Sequence, residues 1–194
     1  WITGQVNDDW TYTAMLRNQQ YFTGDTGNKG DEDVAFQRAY VNGRVGGLAV
    51  QAGRYNKTDI TATAVGGNIY DNRMDGVQLS YGKDVKLTAG YGKATALTPA
   101  AGYDNDLAYA ELTGKIGAVN ANAAYYKFSD DWDNQDNKIC TAGVGFDLAK
   151  HVGFTASYFD SNLDDDNKND DGFVLGLNYK GAKAAEAGSW GLSA

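Results

Sequence analysis

Apolar and polar residues alternate along most of the chain, which is the two-residue period of β-strands with one apolar face. In the segment 10–22, for example, Trp10, Tyr12 and Leu16 fall on one face, while Thr11 and Arg17 fall on the other. The same alternation recurs over 77–81, 85–91, 140–148, 152–158 and 173–179. The pattern predicts about 12 strands of roughly 6–13 residues each. Only the stretch 182–187 is compatible with a short helix.

The connections between these strands alternate in length. Short turns lie at 7–9, 46–47, 83–84, 117–118, 150–151 and 181–188, and longer connections rich in Asp, Asn and Gly lie at 23–33, 55–75, 94–105, 130–137 and 161–171. Short hairpins at one rim and long loops at the other are typical of transmembrane β-barrels, because one rim faces a confined compartment and the other faces the outside. The sequence therefore favours an all-β fold, an antiparallel transmembrane β-barrel in contact with outer-membrane lipids.

A soluble β-barrel is the alternative fold, and the two differ in which face of the strands points inward. A soluble barrel buries its apolar face, whereas in a membrane barrel that face meets lipid and is flanked by aromatic belts. Aromatic residues lie near many strand ends: Phe22, Tyr55, Tyr91, Tyr109, Tyr126 and Tyr158 beside long loops, and Trp10, Tyr81 and Tyr179 beside short turns. Because the polar face is rich in small and charged residues, which suit a hydrated lumen, we expect the membrane type.

Composition narrows the possible functions. The chain has 194 residues and one proline, which fits a single domain whose strands donate nearly all of their ladder hydrogen bonds. A formal net charge of −8 disfavours nucleic acid as a partner, because phosphates require a basic surface. The single histidine, His151, lies in a short turn, so a histidine-based catalytic or metal site has no second histidine. We therefore expect neither enzyme activity nor a cofactor.

The parity of the strands bears on the extent of the barrel. If the short turns face the periplasm, the first strand, 1–6, runs toward that side and the last, 189–194, runs away from it. Both ends would then lie at the outer rim, whereas complete barrels of this type generally start and end in the periplasm. We therefore expect residues 1–194 to form part of a larger barrel. A 12-stranded barrel with unusual ends is the alternative.

Several short stretches resemble a known family of porins. With one strand restored before residue 1, the connection 55–75 becomes the third long loop, which in trimeric general porins folds into the barrel and narrows it. The stretch 68–81 resembles the segment that follows this constriction. Four further stretches, 6–12, 36–41, 52–55 and 187–190, are similar to the OmpM-type porins of diderm Firmicutes.

The resemblance covers most of residues 1–190 and carries expectations about assembly. It implies a homotrimer of barrels of about 16 strands in the bacterial outer membrane, through which small hydrophilic solutes diffuse. Family members also carry an N-terminal S-layer-homology domain that grips the cell wall. This chain departs from the pattern, because that domain and the closing strands are absent from it, and the resemblance therefore implies no tethering role for this segment.

A porin requires a wet constriction with opposed charges. The candidates are the cations Arg17, Arg38, Arg44, Arg54 and Arg73 and the acids Asp59, Asp71 and Asp75 of the third long loop. An arginine that faces lipid at mid-depth costs roughly 2–4 kcal/mol, so we place Arg38 and Arg44 toward the lumen. Phe36 and Tyr40 share their parity, which is unexplained unless both pack under an inward loop. The alternative for each charged residue is an ordinary solvated loop charge.

Arg54 is ambiguous. Strict alternation groups it with Val50 and Ala52, toward lipid. Either it lies at the outer rim, where the energetic cost nearly vanishes, or a bulge near Gly53 turns it inward.

The connections 129–137 and 160–171 hold dense Asp and Asn clusters, including Asp164–Asp166. Carboxylate and amide oxygens suit calcium, but the EF-hand spacing is absent. We therefore expect solvated outer loops rather than a defined metal site.

The leading hypothesis is an outer-membrane porin for passive diffusion of small hydrophilic solutes and ions. A structural or adhesive surface barrel without transport is the alternative.

Overall fold

The computed structural model describes residues 1–18, 34–61, 68–94, 105–130, 136–162, 170–181, 185–186 and 188–194. Its strands form one antiparallel sheet in sequence order: β1 (Ile2–Asn7), β2 (Trp10–Asn18), β3 (Val34–Val45), β4 (Leu48–Thr58), β5 (Asp71–Gly82), β6 (Val85–Ala94), β7 (Asn105–Ile116), β8 (Val119–Asp130), β9 (Asp136–Ala149), β10 (Val152–Ser161), β11 (Asp171–Lys180) and β12 (Gly191–Ser193). The described sheet is open, with β1 and β12 at its two edges. Among the described residues, no helix is long and apolar enough to cross a membrane.

The predicted strands and five of the six predicted short turns are confirmed. The connection after β11 spans residues 181–190 rather than 181–188, because β12 begins only at Gly191. Five tight turns separate strands at residues 8–9, 46–47, 83–84, 117–118 and 150–151. The predicted connection 55–75 is too long, because β4 continues to Thr58 and β5 begins at Asp71. These strand ends pair in register, and the inward side chains of Tyr55 and Met74 pack together. The connection therefore spans only residues 59–70. Ala185 and Glu186, the described residues of the possible helix, lie in a turn and a bend.

The two faces of the sheet differ in chemistry. One face carries exposed aliphatic residues, among them Leu79, Leu87, Leu112 and Leu175, the last of which is 56% exposed. We call this the aliphatic face. The other face carries Gln, Asn, Thr, Ser and Gly together with most of the buried residues, and we call it the polar face. The alternation predicted from the sequence is confirmed in this division.

The polar face is the inside of the curved sheet. In a flat sheet, strands β4 and β7 would lie about 14 Å apart, because neighbouring strands are separated by about 4.8 Å. Yet Tyr55 on β4 and Tyr109 on β7 approach within 3.4 Å at their hydroxyls, and Lys57 forms an ion pair with Glu111. Side chains meet across two intervening strands only on a concave face. The aliphatic face is consequently convex.

A bulge in β3 explains the unexpected parity of Phe36. Met15 pairs with Arg38 and Leu16 pairs with Phe36, so Gln37 is an extra residue on β3. This shift moves Phe36 onto the aliphatic face beside Leu16 and leaves Arg38 on the polar face. Tyr40 stays on the polar face and packs partly buried against the core cluster.

Tyrosines and charged residues border the aliphatic face near the long loops. Arg54, Asp75, Lys93 and Asp106 stand side by side in register from β4 to β7. Tyr91 lies on β6 two residues before Lys93, on the short-turn side of this row, and donates a hydrogen bond of 2.6 Å to Asp106.

Other aromatic residues divide between the two faces. Tyr158 also lies on the aliphatic face and hydrogen-bonds Asp171 on β11. Trp10, Tyr81 and Tyr179 lie on this face near the short turns, at the other border. Tyr55, Tyr109 and Tyr126 lie instead on the polar face, so their predicted place in a belt is wrong, and Phe22 falls outside the described residues.

Two glycines allow β5 and β6 to approach closely where the sheet curls. A methyl group added to Gly76 would lie 2.8 Å from the Cα of Gly92, and one added to Gly92 would clash with the backbone of Asp75 and Gly76. The Gly76→Ala change should therefore destabilise the fold by about 1–3 kcal/mol, the usual cost of overpacking. The measurement is denaturant unfolding of the folded protein in detergent. Gly172→Ala on β11, where no atom lies within 4 Å, is the matched control, and equal loss in both variants would contradict the close-approach argument.

Candidate functional site

The described ends of the connection between β4 and β5, residues 59–61 and 69–70, lie against the polar face. The amide of Asp59 donates to the carbonyl of Tyr70 at 2.8 Å, which closes the base of the connection and extends the ladder formed by Thr58 and Asp71. The amide of Ile60 then donates to the Tyr126 hydroxyl on β8 at 3.0 Å. The first loop residues thus reach across β5, β6 and β7 on the inside of the curve.

A cluster of buried residues lies beneath the loop base. Its members come from β4 to β8 and from the loop itself: Tyr55, Tyr70, Met74, Ala94, Leu107, Tyr109 and Tyr126. Met74, Leu107 and Tyr126 have no exposed surface. The hydroxyl of Tyr109 donates to Gln78 at 2.7 Å, and that of Tyr126 donates to Glu111 at 2.7 Å. The cluster therefore combines apolar burial with hydrogen-bonded tyrosine hydroxyls, and it holds the base of the loop against the polar face.

A buried ion pair lies at the centre of this cluster. Lys57 on β4 pairs with Glu111 on β7, and both side chains are at most 5% exposed. The ammonium lies 4.6 Å from the ring centre of Tyr109 and 5.9 Å from that of Tyr126, within range of cation–π attraction. It also donates to the carbonyl of Thr58 at 2.7 Å. These contacts compensate for the loss of water around both charges.

Asp59 begins the loop and is buried. One carboxylate oxygen accepts a hydrogen bond of 3.2 Å from the amide of Ile69, and the other has no partner among the described residues. Burial raises the pKa of the Asp59 carboxyl above its ordinary value, although the backbone amides of Ile69 and Tyr70 and the nearby Lys57 act in the opposite direction. The packed loop therefore shifts the Asp59 carboxyl toward its protonated form, relative to a carboxyl in water.

Three predicted arginines lie on the polar face. Arg17 shares this face with Thr13 and Met15, and Arg38 lies 5.2 Å from the ring centre of Trp1. Arg44 lies nearer the short turns and lines a cavity of about 580 Å³. These three side chains come from two neighbouring strands, β2 and β3.

Four of the other predicted pore residues, Arg54, Asp71, Arg73 and Asp75, lie on the aliphatic face. Arg54 forms a two-pronged ion pair with Asp75, with distances of 2.7 and 2.6 Å, and both side chains are about one-third exposed (37% and 36%). The pairing of β4 with β3 and β5 is unbroken around Gly53, so no bulge turns Arg54 inward. Arg54 and Asp75 therefore do not face the arginines of the polar face.

Asp71 and Arg73 share the parity of Asp75 on β5. Asp71 accepts a hydrogen bond of 2.6 Å from the Thr58 hydroxyl, and Arg73 donates to Gln37 at 3.2 Å. Of the three predicted acids, only Asp59 lies on the inside of the curve, and it is buried. Apart from Asp59, the expected opposition of loop acids to wall arginines does not occur among the described residues.

Sequence reasoning missed four charged residues of the polar face. Lys57 and Glu111 form the buried pair, whereas Lys86 and Lys115 point the same way from β6 and β7. Their parity was the available signal, since Lys86 precedes the outward Leu87 and Lys115 precedes the outward Ile116. The partnership of Lys57 with Glu111 had no signal, because it depends on the curvature of the sheet.

No group of three or more His, Cys, Asp or Glu side chains suited to a metal ion occurs among the described residues. The Asp164–Asp166 cluster lies outside them.

The buried pair generates a stability prediction. Glu111→Ala should lower the free energy of unfolding by about 3–5 kcal/mol, because it leaves the Lys57 charge buried without its partner. The double replacement Lys57→Met with Glu111→Leu should recover most of that loss, since an apolar pair needs no charge compensation. Denaturant unfolding in detergent measures both. Asp136→Asn, which breaks the exposed pair of Asp136 with Lys127, should change little, and a loss like that of Glu111→Ala would contradict the prediction.

The raised pKa of Asp59 predicts a pH dependence. A carboxyl whose pKa is higher in the folded state stabilises that state fully at pH below its unfolded value, and this contribution is lost as the pH rises through the folded pKa. The window therefore starts near the ordinary value of 3.8 and extends upward. Over that window the thermal midpoint of Asp59→Asn should fall less with rising pH than that of the unchanged protein. Asp171→Asn on the aliphatic face is the control, and parallel curves for Asp59→Asn and the unchanged protein would refute the assignment.

No protein-family model matches the sequence, and no curated protein matches it. The likeness of its short motifs to the OmpM-type porins therefore stays a resemblance.

Proposed function

We propose that this chain is the barrel portion of an outer-membrane porin, through which small hydrophilic solutes and ions diffuse passively. The observation that carries the proposal is the orientation of the two faces. The aliphatic face is convex, and the polar face, against which the base of the 59–70 connection lies, is concave. A soluble barrel would have the opposite arrangement, with its aliphatic side chains on the inside.

The convex face has the properties of a lipid-facing surface. Its middle carries aliphatic residues such as Leu79, Leu87 and Leu175, whose exposure to water would be unfavourable over so large an area. Tyr91 and Tyr158 border this band on the long-loop side, and Tyr81 and Tyr179 border it on the short-turn side. Tyrosines at both borders of an apolar band are characteristic of proteins that span a bilayer as barrels.

The concave face has the properties of a water-filled passage. Along β8 to β11 it carries Asn122, Thr155 and Ser157, with glycines at positions such as 143 and 176. A cavity of about 620 Å³ lies between this wall and the loop residues 59–61. Small and uncharged polar side chains leave space for solute and hydrogen-bond to water, without a pocket shaped for one ligand.

The loop base explains how such a passage would be narrowed. The cluster around Lys57 and Glu111 holds the base of the connection, at Asp59, Ile60, Ile69 and Tyr70, against the inside of the sheet. A fixed inward loop limits the cross-section of a pore and thus the size of the solutes that pass. Together with the resemblance to OmpM-type porins, this arrangement supports a homotrimer of such barrels in a bacterial outer membrane.

The proposal predicts conductance that depends on the inward loop. The full-length protein in a planar bilayer should give large, stepwise currents, and replacing residues 61–69 by a short Gly-Ser linker should increase the conductance of each step, because it removes Thr61 and Ile69 from the inside of the curve. Shortening the connection 162–170, which joins β10 and β11 elsewhere on the rim, is the control and should leave the step size unchanged. A folded barrel without current would contradict the porin proposal and favour a structural or adhesive role.

A further inference from the structure

The charges on the concave face are mainly positive, although the whole chain carries a net charge of −8. Among the side chains that the structure describes, the strands point the following cations to this face: Arg17, Arg38, Arg44, Lys57, Lys86 and Lys115. The carboxylates that strands point to the same face are Glu111 and Asp147. The strand wall therefore does not share the acidic character of the chain, although the turns contribute Asp8, Asp9 and Asp84 to cavities on this side.

Ion pairing and burial increase the excess of positive charge on the concave strand wall. Glu111 is neutralised by Lys57 inside the buried cluster, and the loop residue Asp59 is buried. Asp147 lies on β9 near the short turns and is the exposed carboxylate of the described strand wall. On the convex face, by contrast, Arg54 is paired with Asp75, and Lys127 is paired with Asp136. Arg44, Lys86 and Lys115 on the inside of the curve form no ion pair among the described residues, whereas much of the convex charge is paired.

Two of these cations line one cavity. Arg44 from β3 and Lys86 from β6 both border the cavity of about 580 Å³ on the polar face, together with Asn42, Gln51 and Gln78. Asp8 and Asp9 also border it, from the exposed turn between β1 and β2 at its edge. The cations come from the strand wall, and the carboxylates come from the rim.

The hydrogen bonds of two cavity amides occupy their oxygens. The amide oxygen of Gln78 accepts from the Tyr109 hydroxyl at 2.7 Å, and that of Asn42 accepts from the Gln51 side chain at 2.9 Å. Both side-chain NH₂ groups therefore keep donor capacity for a ligand. Two cations and two amide donors are complementary to an oxyanion, whose oxygens accept hydrogen bonds.

We propose that the concave wall selects anions, and that Arg44 and Lys86, with the amides of Asn42 and Gln78, form a binding site for small carboxylates. This inference rests on the proposed porin function and gives it a preferred class of solute. The positive wall raises the local concentration of anions, and the site provides a stopping point on their path. Binding there is weak enough for release, since one face of the cavity is open to the passage.

The test uses the full-length protein in a planar bilayer with a potassium chloride gradient. The unchanged protein should show a reversal potential that reports preference for chloride over potassium. The double variant Arg44→Gln with Lys86→Gln should reduce this preference about threefold, the change expected for a shift of about half a kT per unit charge in local potential, because chloride and potassium respond in opposite directions. Lys138→Gln with Lys93→Gln removes the same charge from the convex face and should leave the preference unchanged. Equal effects of the two double variants would overturn the proposal.

Succinate tests the site itself, with the diamine putrescine as the cationic comparison. Succinate should reduce the chloride current of the unchanged protein at lower concentration than putrescine does, and the Arg44→Gln and Lys86→Gln pair should remove that difference. Arg44→Lys keeps the charge and should retain both selectivity and block, which separates a charge effect from a folding defect. An open pore that prefers potassium, or that succinate does not block, overturns this inference alone. A folded protein without current overturns the porin proposal as well.

Discussion

Unbroken strand register is the constraint on which the whole arrangement depends. From β3 to β9 the described pairs continue without a shift, so a residue that faces inward on one strand meets inward residues on both neighbours. A slip of one residue would exchange the faces of an entire strand. The strict register therefore keeps aliphatic side chains together on the convex side and leaves the concave side polar. The register shift at Gln37 places Phe36 on the aliphatic face and leaves Arg38 on the polar face.

Curvature adds the second level of organisation. Once the sheet curls, side chains from strands that are not neighbours come into contact, and the tyrosine cluster forms where Tyr55, Tyr109 and Tyr126 converge. The cation of Lys57 then finds both its carboxylate partner and two aromatic rings on the same surface. Removing one partner of a buried ion pair is strongly destabilising. The pair therefore specifies one position of the loop base. The glycines at 76 and 92 belong to the same adjustment, because they remove the side chains where two strands approach closely.

The sequence was sufficient for the strands but not for the site. Two-residue alternation and short Gly or Asp turns are local signals, and they located the strands and five tight turns. The sequence pattern predicts a loop at the C-terminal end of β4 and the N-terminal start of β5. Asn56, Lys57 and Asp71 are residue types common in loops, and the sequence does not show that their neighbours are buried. Phe36 was given the wrong face because a bulge has no compositional mark. The Lys57–Glu111 pair joins residues far apart in the chain, and no local pattern encodes a contact that depends on curvature.

The closed base of the 59–70 connection has a consequence for how this protein can change in evolution. Because Asp59 and Tyr70 are bonded to each other, the ends of the loop are fixed whatever its length, and the strands on either side keep their register. The entropic cost of a longer closed loop grows slowly, by about 0.6 kcal/mol for each doubling of its length. Insertions and deletions between these two residues are therefore nearly neutral for folding. Such changes leave the strand register intact, so the connection can evolve separately from the sheet that carries it.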